Sequence, residues 1–143
     1  MGSTFVKLTR INPLRRSGIV VSVAEAFDLA RVGNRELAAK ILKQEFQKLQ
    51  SSDQKVELCE WIAGCFENLR DYSQAAEWYE MAGALSLSHT GSPLINALMA
   101  ATEYEKAIEC YDLRLNDGDE EAGESIQKCL EIIRDLNHEY AAA

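Results

Sequence analysis

Residues 56–85 constrain the fold of this chain more than any other stretch. Ile62, Ala63, Phe66, Leu69, Tyr72, Ala75, Tyr79 and Ala82 recur there at helical spacing on either side of a short turn at Arg70 and Asp71. Large and small side chains alternate, so two antiparallel helices can interlock. The flanks of such a hairpin stay apolar, and its own two helices cannot cover them. It therefore needs neighbours.

Punctuation along the rest of the chain supplies those neighbours. A first helical run over 19–32 ends at Gly33 and Asn34, and a second follows over 35–49. Ser51 with Gln54 opens the third helix and Asp71 opens the fourth. Ser92 and Pro93 begin a fifth, since proline loses nothing at the first helical position. The pattern predicts that this fifth helix stops near Ala101 and that a sixth runs from Glu103 to Leu115. The turn at Asn116, Asp117 and Gly118 precedes a last helix, with Asp117 and Glu120 read as its capping box. Ala122, Ile126, Leu130, Ile133 and Leu136 form that helix's apolar stripe, and residues 139–143 are expected to fray.

The middle hairpin resembles the tetratricopeptide repeat, which sets a small residue and an aromatic on its first helix and Tyr, Ala, aromatic and Ala on its second. Ala38, Ala75 and Ala107 align as equivalent positions, followed four residues later by Leu42, Tyr79 and Tyr111. The outer copies depart from the pattern: Arg35 stands where Tyr is usual and Ile95 where a small residue is usual. In the middle copy Arg70 replaces the turn glycine. The resemblance implies an all-α fold over 19–138, a right-handed superhelix of about three antiparallel hairpins, with the last helix as a cap whose polar face meets solvent.

Charge bears on what such a fold could bind. The chain has 143 residues and a formal charge of −8, which argues against a nucleic-acid surface. Yet its leader, 1–18, contains Lys7, Arg10, Arg15 and Arg16 and no acid, so a basic arm precedes an acidic body. The arm is read as partly extended or disordered; its composition also has some transit-peptide character, interrupted by Pro13. No apolar run approaches the ~20 residues of a membrane span, so a cytoplasmic protein is expected. The first helical run is apolar on nearly every side, from Ile19 through Val32. It needs a cover: the leader through Phe5, Val6, Leu8, Ile11 and Leu14, a second copy as a homodimer, or a partner.

Catalytic chemistry has little support. His89 and His138 adjoin no nucleophile motif, and no phosphate loop is present. Cys59, Cys65, Cys110 and Cys129 sit within helical patterns and read as buried thiols rather than metal ligands, and no cofactor is implied. The expectation is a non-catalytic adaptor or scaffold. Under the resemblance, the inner wall takes Glu57, Glu60, Trp61, Gly64, Glu67 and Asn68 from the middle hairpin, Val23 and Phe27 from the first, and Asn96 and Met99 from the third. Such a wall suits a basic or amphipathic segment of a protein partner. Trp61 is the natural anchor if exposed, with burial against a neighbouring helix as the alternative. The family's clamp for acidic tails is missing: Val23, Phe27, Trp61, His89 and Pro93 occupy its positions. The alternative function is a self-associating assembly subunit joined through the first helix.

Overall fold

The computed structural model describes residues 19–88 and 92–140, with side chains from Val21 onward. All regular structure among them is helical: α1 (Ile19–Arg31), α2 (Arg35–Lys48), α3 (Ser52–Asn68), α4 (Tyr72–Ser86), α5 (Pro93–Asn116) and α6 (Glu121–Tyr140). The leader, His89 and residues 141–143 lie outside the described residues, and so does the expected packing of the leader on the first helix.

One device closes α1, α3 and α5. A residue in the left-handed region follows each helix: Gly33 at φ +94°, Arg70 at φ +61° and Gly118 at φ +99°. The next residue's N–H reaches back to a carbonyl in the last turn, Asn34 to Leu29 at 2.9 Å, Asp71 to Phe66 at 2.9 Å and Asp119 to Arg114 at 3.0 Å. The chain then reverses. Arg70 adopts this conformation without glycine's freedom from Cβ crowding.

Caps follow the sequence in two cases. The Ser51 hydroxyl accepts from the Gln54 N–H at 3.5 Å, and the Asp71 carboxylate from the Gln74 N–H at 3.4 Å. The expected capping box of the last helix is not what forms. Asp117 closes α5, and it is Asp119 that accepts from the Glu121 N–H, at 3.2 Å. Glu139 and Tyr140, expected to fray, belong to α6.

The larger correction concerns residues 93–116. The predicted break between Ala101 and Glu103 is absent, and α5 runs through it unbroken. Neither glycine nor proline stands there, and the Thr102 hydroxyl donates to the Leu98 carbonyl at 2.9 Å, inside the helix, instead of capping a new one. The third hairpin expected within 93–115 therefore does not exist; α5 packs instead on α4 and on α6. Ala107 and Tyr111 thus stand on the same helix as Asn96 and Met99.

Packing is strongest between α4 and α5 and sparse between α2 and α3. Small residues let α4 and α5 approach: a Cβ built on Gly83 would lie 2.8 Å from the Tyr104 ring. Other contacts skip one helix. Phe27 meets Phe66 edge-on at 5.0 Å, joining α1 to α3, and Phe46 meets Trp78 at 6.1 Å, joining α2 to α4. Surrounded on several sides, α3 is buried without interruption from Trp61 to Phe66. On α1 the buried residues are Val23, Ala26, Phe27 and Ala30, while Val21 is 62% exposed.

Candidate functional site

The expected wall residues divide by burial. Glu57, Asn68 and Met99 are exposed, and Glu60 and Glu67 are half-buried. Val23, Phe27, Gly64 and Asn96 are buried. Trp61 is only 4% exposed, so the exposed anchor is not there: its indole is packed, and its Nε1–H has no hydrogen-bond partner among the described residues.

What the fold brings together is a line of carboxylates between α3 and α5. Glu60 on α3 faces Glu103 on α5. Glu103 is 5% exposed, and Lys106, one turn along, donates to its Oε1 at 3.1 Å. Its Oε2 is buried without a hydrogen-bond partner among the described residues. The Lys106 ammonium also lies 5.5 Å from the centre of the Tyr79 ring on α4, and the Tyr79 hydroxyl donates to Glu67 back on α3. Farther along, Glu80 accepts from the Tyr111 hydroxyl at 2.5 Å and from the Cys129 thiol at 3.4 Å. Buried and half-buried acids of this chain are thus met by tyrosine and cysteine donors from neighbouring helices and by a lysine one turn along the same helix.

Electrostatics follow from that crowding. Burial pushes the Glu60 carboxyl up to about 7, and the Glu103 charge adds to the effect while Lys106 opposes it. Burial also raises Cys59, Cys110 and Cys129 to about 12 each, helped by Glu60 and Glu103, by Glu67 and Glu109, and by Glu80 respectively. The thiols of Cys59, Cys110 and Cys129 all lie in the buried interior. Thiols held so far above neutrality carry almost no thiolate and are poor nucleophiles. Tyr79 and Tyr111 are raised for the same reason, burial first and then the carboxylate each one meets.

The acidic line continues into an apolar strip. Ile95, Met99 and Glu103 fall at four-residue spacing along one side of α5, and Ile95 and Met99 are exposed. Leu94 and Leu98 beside them are exposed as well, and no charge occurs from Pro93 to Thr102. The acidic wall was legible in the sequence on α3. Its Glu103 and Lys106 half was not, because those residues were assigned to a separate helix on the far side of a turn.

Concave surface occurs at two other places in the fold. Adjoining cavities of about 170 and 280 Å³ share Arg35, Phe66 and Asp71, with Arg31 in one and Arg114 in the other. Each guanidinium there already faces a carboxylate: Arg31 with Asp28 at 2.7 Å, Arg35 with Asp71 at 2.9 Å, Arg114 with Asp119 at 3.7 Å. The cleft therefore holds little net charge for an anion. Between α5 and α6 a cavity of about 70 Å³ is lined by Leu94, Leu98, Leu136 and Tyr140 among others, too small for more than a side chain. Among the described residues no group of three His, Cys, Asp or Glu side chains is placed to hold a metal, and no helix is long and apolar enough to cross a membrane. No protein-family model, curated protein or solved structure matches the chain.

Proposed function

We propose that the chain is a non-catalytic adaptor of the tetratricopeptide-like helical-repeat type, binding a basic, amphipathic segment of a partner protein along the wall formed by α3 and α5. The observation that carries this reading is the shared side of α5, where exposed Ile95 and Met99 continue into Glu103 beside Glu60. A segment bearing an apolar residue and a lysine or arginine would meet complementary chemistry at both points. The contacts that skip one helix support a stacked, superhelical arrangement, as do the repeated left-handed closures at Gly33, Arg70 and Gly118.

The test uses exposed residues, because the packed Trp61 would report on folding. Glu57→Lys and Met99→Asp should each lower recovery of the chain's main binding protein from native extract while leaving helicity unchanged. Undiminished recovery by both variants would remove this wall as the binding surface.

Self-association is the second reading, favoured by Val21 and Val32, which are 62% and 80% exposed at the two ends of the α1 region. Sedimentation velocity of the wild type and of Val21→Glu distinguishes it: a dimer that becomes a folded monomer in the variant supports assembly through α1. Phe27, buried to 2%, is unsuitable for this purpose, since its replacement by Asp would unfold the pair it forms with Phe66.

A further inference from the structure

We infer that Glu60 and Glu103 form the receptor for one cationic side chain of the bound segment, and that this guest takes the place of a proton held between the two carboxyls. The inference rests on the adaptor reading and adds the chemistry of its anchor point.

The argument begins with an unsatisfied atom. A buried carboxylate oxygen without a donor is unfavourable, because it has given up water without gaining a partner. Glu103 Oε2 is such an atom among the described residues, because Lys106 serves only Oε1. The group facing the Glu103 carboxyl from α3 is that of Glu60, which can donate only when protonated. With one proton between them the cluster of Glu60, Glu103 and Lys106 is neutral. Without it a negative charge is left half-buried, and the value of about 7 at Glu60 follows from that penalty.

A second cation would satisfy the same oxygens. The charged groups facing Glu60 are Glu57 on its own helix and Glu103 and Lys106 from α5, so the surroundings without the proton are net acidic. Tyr79 from α4 stays neutral, its hydroxyl committed to Glu67. A dehydrated metal ion fits poorly, with two carboxylates and an ammonium alongside and no third acidic or thiol ligand in place. An ammonium or guanidinium brings several N–H donors and can span both carboxyls. Its route is from the Glu60 side, the half-exposed member of the pair.

Neighbours set the spacing of the guest. By the helix rise, Met99 lies about 6 Å and Ile95 about 12 Å along α5 from Glu103. The segment should therefore present its apolar residue roughly one helical turn from its cation. The exchange balances: Glu60 gives up its proton to solvent as the guest ammonium or guanidinium, already charged, pairs with the resulting carboxylate.

The probes are two acetylated, amidated peptides with leucine four residues from either arginine or citrulline, titrated calorimetrically against the full chain in buffers of different ionisation enthalpy. The arginine peptide should bind and release about half a proton near neutral pH, and its affinity should rise about tenfold from pH 6 to pH 8. The citrulline peptide should bind at least about tenfold more weakly, and Glu60→Gln should abolish proton release. In the unmodified protein, carbon-13 carboxyl shifts give an independent reading: the Glu60 midpoint should fall when the arginine peptide is added. Equal binding of both peptides, lost in Met99→Asp, would overturn the inference and leave the adaptor reading intact. Arginine-peptide affinity that is flat with pH would also overturn it. If neither peptide bound, both readings would fall.

Discussion

At the scale of single residues, two positions carry local strain or charge that can be measured. Arg70 occupies the left-handed region at φ +61°, where the corresponding closures use Gly33 and Gly118. A residue with a Cβ loses about 1–2 kcal/mol in that conformation, partly offset because glycine is more flexible when unfolded. Arg70→Gly should therefore stabilise the fold by about 0.5–1 kcal/mol, read as a higher urea midpoint at unchanged slope. Glu60 binds its proton more tightly in the folded chain, at about 7, than at its ordinary value of 4.5. The stability this contributes is fully present below the lower value and is lost as pH rises through the upper one. Glu60→Gln retains an uncharged donor at every pH, so the variant should gain on the wild type by on the order of 1 kcal/mol between about pH 5 and pH 8. Unfolding curves whose separation is the same at both pH values would show that this carboxyl is not linked to folding.

At the scale of elements, α5 decides the architecture. Its continuity follows from the lack of glycine or proline around Thr102, whose hydroxyl turns back to Leu98 within the helix instead of capping a new one. Thr102→Pro, which removes a backbone donor in mid-helix, should cost about 3 kcal/mol or more, whereas Thr102→Ala should change stability by less than about 0.5 kcal/mol. A proline tolerated at that point would restore the two-helix reading. The α4–α5 junction gives a second check. Gly83→Ala places a methyl against the Tyr104 ring and should cost about 1–3 kcal/mol, with Tyr104→Leu in the same chain recovering part of the loss. Additive losses in the double variant would mean that the two residues do not share that contact.

For the molecule as a whole, cohesion is uneven. Sparse contact between α2 and α3 leaves the α1–α2 pair attached through the Phe27–Phe66 and Phe46–Trp78 rings and the Arg35–Asp71 ion pair, whereas α3 to α6 are joined by more extensive packing. Native-state hydrogen exchange should show amides of α1 and α2 opening at lower free energy than those of α3 to α5. Uniform protection across all six helices would contradict this. The same unevenness bears on the proposed binding, since the wall of α3 and α5 lies in the better-anchored part, where a guest would have less to order.

The sequence by itself determined what short-range physics controls. The closures at Gly33 and Gly118, the caps at Ser51 and Asp71, the start at Pro93 and the helical periodicity all depend on a residue and its neighbours within a turn. The reading failed at Thr102, where a break was expected although the backbone holds no glycine or proline to stop it, and at Asp117, where the capping oxygen came from Asp119. Tertiary structure alone decided that Trp61 is packed and that Glu60 and Glu103 face each other. Burial is a property of what surrounds a helix, and Glu60 holds its proton more tightly only because packing removes water around it and brings the charge of Glu103, far away in the chain, beside it.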